Sequence, residues 1–364
     1  MAGQEQLKSC VIDKNLCSGC GMCVGLCPYI KTFRDRVKVI HPCGQKDGTC
    51  YSTCPKTFWD IDGMDDFVFQ GPRSDQALGV YKGIFFSRAA GEKAGGAQYG
   101  GTATSLMAFA LDSGMVEGAV LAGGSALDPR PVYAGTALEV MAGAGSKYTA
   151  VPTLAAFNQA VGINGGRLGL VGRPCQVEAV RKMQQGCHSE AHGNRERAVG
   201  LTIGLFCFWS LTPEFYDFLA EKTKGEVITR VDIPVEGLTV TTPAGANTWP
   251  VDQIRKYIKD SCSACIDCTS EWADISVGST ESDPQYNTLV VRTVAGQRLV
   301  ERAAEKGVIE IKPYPEERLP ILRKAALNKK MRVIQGEGGK MPGYLKLSDQ
   351  YRAEIIRQWE VLQK

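Results

Sequence analysis

The chain has 364 residues and a formal net charge of +3, and its length is enough for two or three domains with full hydrophobic cores. The small charge, without a basic stripe interleaved with aromatic residues, excludes nucleic acid as a predicted partner. The N-terminal sequence MAGQEQLKSC lacks the apolar core of a secretory signal, and the apolar run at residues 201–211 is too short to span a bilayer. We therefore predict a cytoplasmic protein with no direct membrane insertion.

Cysteine is frequent in this chain, with 14 residues, and it is concentrated in two regions. One region runs from Cys10 to Cys54 and the other from Cys262 to Cys268, whereas Cys175, Cys187 and Cys207 are scattered. In a chain predicted to be cytoplasmic, clustered cysteines indicate metal ligands rather than disulfides.

The first cysteine motif is CSGCGMCVGLCP at residues 17–28, which has the spacing C-x2-C-x2-C-x3-C-P of bacterial ferredoxins. A zinc ribbon would instead use two separated C-x2-C pairs, so the motif favours iron–sulfur over zinc. In two-cluster ferredoxins the cysteine before proline serves the other cluster. The sequence therefore predicts a first 4Fe–4S cluster on these four thiolates: Cys17, Cys20, Cys23 and Cys54.

A second cluster is expected on Cys27, Cys43 and Cys50, but the fourth cysteine of a ferredoxin is missing. Asp47 stands before Gly48, where a C-G-x-C motif would have that cysteine, and a carboxylate can bind iron. The hypothesis is a 4Fe–4S cluster with Asp47 as fourth ligand. The alternatives are a 3Fe–4S cluster with Asp47 free, completion of the site by Cys10, or a solvated Asp in an ordinary KDG turn.

The second cysteine region, DSCSACIDC at residues 260–268, repeats the C-x2-C-x2-C spacing and predicts a third cluster on Cys262, Cys265 and Cys268. Its fourth ligand must come from elsewhere in the chain. Cys207 ends an apolar run at residues 199–208 that indicates a buried strand, and it is the predicted ligand. Cys175 is the main competitor, and an inert buried thiol is the alternative for Cys207. Cys187 lies in a polar loop and has no predicted role.

Between the cysteine regions the sequence has an α/β pattern with three glycine-rich loops. A strand at residues 83–89 precedes glycines and a helix that begins near Thr102, and another strand follows at residues 117–124. Arg173 lies between a strand and a helix, and Lys147 and Tyr148 follow a third glycine loop. Free N–H groups at a helix start bind anions. Each loop alone could be an ordinary turn, but together, beside iron–sulfur motifs, they favour a flavin.

The C-terminal part is predicted to hold a β-rich segment at residues 287–300 and 310–314 and a basic run at residues 323–332, interpreted as a solvated helix face. A helical tail from Ser348 carries an apolar stripe of Tyr351, Ile355 and Trp359 that should pack on the protein itself. His41, His188 and His192 belong to no acid–base motif, so no catalytic side chain is predicted.

The order of motifs resembles a known family. The motifs are GGTATSLMAFALDSGMVEGAVLAGG, GSKYT, VGRPCQVEAVRK, IGLFCFW and CSACIDCTSEWADISVGST. They resemble the beta subunits of coenzyme F420-reducing hydrogenase and formate dehydrogenase, a family that includes the input subunit of F420H2 dehydrogenase complexes and a plant 7-hydroxymethyl chlorophyll a reductase.

The resemblance implies bound FAD, hydride exchange between FAD and coenzyme F420, and electron transfer through 4Fe–4S clusters, of which the cysteine spacing predicts three. The electrons would pass to or from a catalytic or electron-accepting subunit of a larger redox complex. By position in the motifs, the residues expected around the flavin are Gly100, Gly101, Thr102, Thr104, Lys147, Tyr148, Arg173, Asp274 and Ser276.

The predicted fold class is α+β, with a ferredoxin-like two-cluster module, a mixed α/β flavin-binding domain and a C-terminal iron–sulfur motif. The corresponding domains are residues 1–65, 66–250 and 251–364. The sequence leaves open the direction of electron flow and the identity of the partner. It also leaves open whether the two-electron substrate is coenzyme F420 or another donor such as NAD(P)H, and whether the chain is an electron conduit without a flavin.

Overall fold

The structure is a computed structural model that describes residues 3–91, 97–164, 166–186, 195–234, 236–280, 282–336 and 341–363. Cys187, His188 and His192, which the sequence analysis mentions, lie outside the described residues.

The secondary structure of the described residues mixes strands and helices along the whole chain. The strands are β1 (Ile30–Phe33), β2 (Arg36–Val39), β3 (Trp59–Asp60), β4 (Gly83–Ala89), β5 (Gly118–Gly124), β6 (Pro129–Ala134), β7 (Leu168–Gly172), β8 (Val199–Leu205), β9 (Arg230–Asp232), β10 (Leu238–Thr242), β11 (Gly245–Trp249), β12 (Ile275–Ser279), β13 (Asn287–Val291), β14 (Ile309–Pro313) and β15 (Leu345–Lys346). The helices are α1 (Gln4–Leu7), α2 (Thr49–Ser52), α3 (Ile61–Phe69), α4 (Thr102–Asp112), α5 (Ala137–Ala142), α6 (Thr153–Asn164), α7 (Pro174–Gly186), α8 (Glu214–Lys222), α9 (Asp252–Arg255), α10 (Asp260–Ser263), α11 (Val294–Glu305), α12 (Leu319–Gln335) and α13 (Asp349–Gln363). A π-helical segment at Lys8–Ile12 extends α1, and a 3-10 turn at Glu316–Arg318 precedes α12.

The largest sheet within the described residues has eight strands in the order β14-β4-β13-β12-β8-β7-β5-β6. Strands β5, β7, β8 and β12 run parallel to one another, whereas β6 and β13 pair antiparallel with their neighbours at the two sides of this parallel group. The carboxyl ends of the four parallel strands therefore meet at one edge of the sheet, which is where open α/β sheets bind their ligands.

Both faces of this sheet are covered by helices, which explains why its strands are almost continuously apolar. On one face, Leu106 of α4 and Leu299 of α11 belong to the same buried cluster as Ile203 of β8. On the other face, Phe157 of α6 and Val180 of α7 pack in a cluster with strands β5 and β7.

The strands and helices predicted before the second cysteine region are confirmed. β4, β5, β7 and β8 lie within the predicted segments, and α4 begins at Thr102 as expected. The mixed α/β architecture is also confirmed. The predicted boundary at residue 250 falls between strands of one sheet, because β12, β13 and β14 join the strands that precede it. The domain boundaries stay a prediction.

The predicted β-rich segment at residues 287–300 is only half correct. Strand β13 ends at Val291, and the second half of the segment begins helix α11. The Thr293 hydroxyl caps this helix by accepting a hydrogen bond from the backbone N–H of Gly296 at 3.2 Å. An N-cap threonine thus starts a helix in a stretch whose β-branched residues suggest a strand.

The interpretation of the basic run at residues 323–332 as a solvated helix face is wrong for two of its lysines. Lys329 and Lys330 are 4% and 0% exposed in helix α12. Their ammonium groups are satisfied inside the protein, Lys330 by an ion pair with Glu271 and Lys329 by carbonyl oxygens. Buried lysines of this kind need such partners, which the local sequence does not reveal.

The C-terminal helix α13 confirms the predicted tail. Tyr351 and Ile355 are buried, and the indole N–H of Trp359 donates to the Asn328 side chain of α12 at 2.8 Å. The apolar stripe therefore packs on the protein itself. Among the described residues, no helix is both long and apolar enough to cross a membrane.

The N-terminal segment forms a small cysteine-bearing unit that is held against the sheet. Its core combines the π-helical segment, the β1–β2 hairpin and the short helix α2 around Leu7, Ile30 and Cys50. A buried ion pair between Asp35 and Lys259 joins the hairpin to the C-terminal half of the chain.

Candidate functional site

A cleft of about 330 Å³ opens at the carboxyl ends of the parallel strands. Its floor is formed by Leu121 and Ala122 of β5, Val171 and Gly172 of β7, Leu205 of β8, and residues 277–279 of β12. The position agrees with the general rule for open α/β sheets.

The cleft brings together most of the residues that the sequence predicts around a flavin. The predicted residues in its lining are Gly101, Thr102, Thr104, Lys147, Tyr148 and Arg173. Gly101 has φ of 73° and precedes helix α4 without a side-chain cap. The Thr102 N–H donates a hydrogen bond to the side-chain oxygen of Asn287 at 3.2 Å. The next N–H groups of the first turn have no partner within the helix, so they suit an anionic group.

Gly100 has a packing role beside the cleft. A Cβ at this position would lie 2.6 Å from the carbonyl oxygen of Ser87, so no larger residue fits without a shift of the backbone. Its own carbonyl accepts from the backbone N–H of Ala89 at 2.8 Å. Gly100 therefore holds the loop against strand β4, and the neighbouring Gly101 reaches the cleft.

Lys147 and Tyr148 form another part of the cleft lining. The Lys147 ammonium donates to the carbonyl oxygens of residues 143–145 at 2.8–3.0 Å, and burial lowers its pKa to about 8. The Tyr148 hydroxyl donates to Asp232 at 3.1 Å, and burial together with that carboxylate raises the pKa of the tyrosine. Both side chains are fixed by hydrogen bonds, so this part of the lining is preorganised.

Arg173 reaches the cleft with an unsatisfied donor. Its Nη2 atom is buried and has no hydrogen-bond partner among the described residues. The same is true of the hydroxyl of Thr153, which also lines the cleft. Buried donors in native proteins are nearly always paired, so these two groups fit a bound anionic ligand such as a pyrophosphate.

Asp274 and Ser276 are not part of the cleft lining. The Asp274 carboxylate accepts from the backbone and hydroxyl of Thr202 at 2.8 and 2.7 Å, and the Ser276 hydroxyl accepts from the guanidinium of Arg292 at 2.7 Å. The strand that carries them reaches the cleft through its later residues, Val277, Gly278 and Ser279.

A second, much smaller cavity of about 20 Å³ adjoins the cleft. Its lining contains the thiols Cys175, Cys207, Cys262 and Cys265 and the cationic side chains Lys56, Arg173 and Lys329. The structure thus places both predicted candidates for the fourth thiol, Cys207 and Cys175, beside the C-terminal motif. Thiolates among cations suit an iron–sulfur cluster.

Cys268, the last cysteine of the motif, is not among the residues that line this cavity. It is 1% exposed, and its carbonyl oxygen accepts from the backbone N–H of Cys207 at 2.9 Å. Burial raises the pKa of Cys268 and of Cys207 to about 12. Among the described residues, no group of three or more His, Cys, Asp or Glu side chains is arranged to hold a single metal ion.

The cysteines of the N-terminal unit form two neighbouring groups. In the first group, burial and then the nearby thiols of Cys20, Cys17 and Cys54 raise the pKa of Cys23 well above its ordinary value. Burial raises the pKa of Cys54 to about 11, and its carbonyl oxygen accepts from Lys182 at 2.7 Å. The four thiols predicted for the first cluster therefore lie together.

In the second group, burial and the neighbouring Cys27 raise the pKa of Cys50 to about 11, and Cys43 lies near it as well. Gln4, which the sequence did not single out, is buried here. Its side-chain oxygen accepts from the backbone N–H of Cys43 at 2.8 Å, and its Nε2 atom lies 3.9 Å from the Cys27 sulfur. Asp47 is exposed in the loop between Cys43 and Cys50.

Cys10, the alternative fourth ligand of the second group, is exposed on the π-helical segment. Its sulfur lies 3.9 Å from the Ser9 hydroxyl, and its thiol is close enough to Tyr51 to raise the pKa of that residue, after the effect of burial.

Comparison with known proteins supports the resemblance seen in the sequence. Two models of the coenzyme F420 hydrogenase/dehydrogenase beta subunit match the chain, the N-terminal one at residues 86–158 and the C-terminal one at residues 165–317. The coenzyme F420 hydrogenase beta subunit of Methanothermobacter thermautotrophicus is 34% identical over 266 residues, which is 70% of this chain and 92% of that protein.

Two further similarities support the same family. A component of the F420H2 dehydrogenase of Methanosarcina mazei is 26% identical over 324 residues, covering 84% of this chain and 87% of that protein. A chain in the solved F420-reducing NiFe hydrogenase complex from Methanosarcina barkeri is 28% identical, with a TM-score of 0.67, and the match covers 73% of this chain and 97% of that one. The chain therefore belongs to the family of coenzyme F420 hydrogenase/dehydrogenase beta subunits.

Proposed function

We propose that this chain is an iron–sulfur flavoprotein subunit that exchanges a hydride between coenzyme F420 and FAD and exchanges single electrons with a partner subunit through 4Fe–4S clusters. One observation carries the proposal. The cleft at the carboxyl ends of the parallel strands adjoins a cavity lined by four cysteines, and Arg173 and Cys207 line both. The cleft proposed for FAD and the cavity proposed for the C-terminal cluster are therefore neighbours.

The residues that would hold FAD are those that offer donors to the cleft. The first turn of helix α4 supplies backbone N–H groups after Gly101, and Arg173 and Thr153 supply unpaired buried donors. Lys147 and Tyr148, whose side chains are fixed by hydrogen bonds, form another part of the lining. Bound there, a flavin would supply the chemistry that links two-electron donors to one-electron carriers.

The residues that would hold three clusters are the three groups of thiols. The first group is Cys17, Cys20, Cys23 and Cys54, and the second is Cys27, Cys43 and Cys50 with Asp47 as proposed fourth ligand. In the third group Cys207, Cys262 and Cys265 line the small cavity, and Cys175 or Cys268 completes the set. Bound there, the clusters would supply one-electron transfer.

The similar proteins also support the role of a partner subunit. Those named above are subunits of a hydrogenase or of an F420H2 dehydrogenase. The two family models begin only at residue 86, so the N-terminal cysteine groups lie outside them. We place the exchange of electrons with a partner dehydrogenase, hydrogenase or membrane redox complex at this N-terminal unit, which would act as a ferredoxin-like module.

The test is anaerobic purification followed by measurement of iron, acid-labile sulfide and flavin, and then of substrate oxidation with a one-electron dye as acceptor. We expect FAD, about three clusters' worth of iron, and dye reduction with reduced coenzyme F420. Reduction of the dye by NAD(P)H but not by reduced coenzyme F420 would mean that the chain is still an oxidoreductase but has a different substrate. Iron and sulfide without flavin would instead make the chain an electron conduit, and a colourless protein would overturn the proposal.

A further inference from the structure

Two adjacent lysines of helix α12, Lys329 and Lys330, are both buried but have different partners. Lys330 forms an ion pair with the carboxylate of Glu271. Lys329 donates to two backbone carbonyl oxygens, those of Cys207 and Asp267, the latter at 2.7 Å. Among the described residues Lys329 forms no ion pair. The two lysines therefore differ in how their charge is compensated.

The carboxylate of Asp267 does not take the place of that missing ion pair. One of its oxygens accepts from the backbone N–H of Glu271 at 2.8 Å, and only its carbonyl oxygen bonds to Lys329. A buried ammonium that bonds only to neutral carbonyls is costly unless an anion lies nearby. Burial opposes the charge of Lys329, whereas the thiols of Cys265, Cys207 and Cys268, and after them the carboxylate of Asp267, raise the pKa of this lysine. The groups that compensate its positive charge are therefore mainly thiols.

The surroundings of Lys329 are thiols. It lines the small cavity together with Cys207, Cys262 and Cys265. Its carbonyl partners hold it between Cys207, which follows the end of strand β8, and the last part of the C-terminal cysteine motif. Its ammonium is therefore fixed at the place where the third cluster is proposed to bind.

We propose that Lys329 is a positioning residue that holds a fixed positive charge against the C-terminal cluster and raises its reduction potential. The inference rests on the proposed 4Fe–4S cluster of this motif. Reduction adds one negative charge to a cluster that thiolates already make negative, and a buried cation stabilises the added charge. The carbonyls of Cys207 and Asp267 keep the ammonium from turning away.

The experiment compares Lys329→Gln, which removes the charge, with Lys329→Arg, which keeps it, and with Lys324→Gln, which removes an exposed lysine of the same helix. Each variant of the full chain is titrated anaerobically with redox dyes, and each cluster is followed by EPR. In Lys329→Gln we expect the ratio of reduced to oxidised C-terminal cluster at a fixed potential to fall about tenfold, which is about 59 mV for one electron. Lys329→Arg and Lys324→Gln should keep the wild-type midpoint.

An unchanged midpoint in Lys329→Gln, with iron and flavin at wild-type levels, overturns the inference. If Lys329→Gln folds but loses the C-terminal cluster, retention of that cluster in Lys329→Arg supports the role of the charge, and equal loss in both variants overturns it. If the wild-type protein contains no iron and sulfide, the proposed function itself is overturned. This result is distinguishable from an unchanged midpoint, which overturns only the role of Lys329.

Discussion

Arg173 and Cys207 lie close to each other, and each lines both the large cleft and the thiol-lined cavity. Arg173 begins the turn into helix α7, and Cys207 follows the end of strand β8. Burial disfavours the guanidinium charge, yet the nearby thiols of Cys175 and Cys207 raise the pKa of Arg173. A ligand in the cleft and a cluster in the cavity would therefore both be next to these two side chains.

The first prediction concerns the retention of FAD by Arg173. In Arg173→Gln the charged donor to the cleft is lost, and a hydrogen bond to a charged group is worth about 1.5–3 kcal/mol. We expect FAD to bind about 10–100-fold more weakly, measured by the flavin released on anaerobic dilution and gel filtration. Arg130→Gln, an exposed arginine at the sheet edge, is the matched control. Full flavin retention in Arg173→Gln would show that Arg173 does not contact the cofactor.

The second prediction decides the fourth ligand of the C-terminal cluster. Cys175 lines the small cavity, whereas Cys268 is buried and is not among its lining residues. We therefore expect Cys175→Ala and Cys262→Ala each to lose about one third of the iron, and Cys268→Ala to lose less. The measurement is iron per chain together with EPR of the reduced protein. The opposite order of iron loss would assign the position to Cys268, as the spacing of the cysteine motif alone predicts.

Hydrophobic periodicity and cysteine spacing are local signals, and they predicted the local part of the structure. The apolar run before Cys207 forms strand β8, and Thr102 begins helix α4 as expected. The spacing of the N-terminal cysteines also predicted that Cys23 and Cys54 lie together, and the Cys54 thiol is close enough to raise the pKa of Cys23. Such patterns are visible because a strand, a helix start and a ligand loop each depend on adjacent residues.

Burial that depends on distant residues could not be predicted in this way. Lys329 lies in a basic run that resembles a solvated face, but its partners are Cys207 and Asp267, 122 and 62 positions away in the chain. Gln4 has no motif, yet it reaches Cys43. Gln4 and Cys43 become neighbours only after the N-terminal hairpin and the cysteine loops around it have folded.

The third prediction concerns Asp47 and the second cluster. In Asp47→Cys a fourth thiolate would join the loop that already carries Cys43 and Cys50, so the EPR spectrum of this cluster should change and its iron content should not fall. Cys10→Ala should leave both unchanged, because Cys10 is exposed on another segment. If Asp47→Cys leaves the spectrum as in the wild type, the carboxylate is not a ligand. If Cys10→Ala loses iron, Cys10 rather than Asp47 is the fourth ligand of the second cluster.

The fourth prediction concerns pH and the buried carboxyl of Glu178 in helix α7. Burial raises its pKa from 4.5 to about 7. The positive charge of Lys56 opposes this increase, and the negative charge of Asp267 adds to it. Between these values the folded protein keeps a proton that the unfolded chain releases, so the contribution of Glu178 to stability is full below pH 4.5 and is lost as the pH rises through 7. The loss is at most about 1.4 kcal/mol per pH unit.

In anaerobic urea unfolding, Glu178→Gln should therefore gain stability relative to the wild type between pH 5 and 7.5, whereas Glu226→Gln, an exposed control, should not. A difference between Glu178→Gln and the wild type that is the same at both pH values would mean that Glu178 stays ionised in the folded protein.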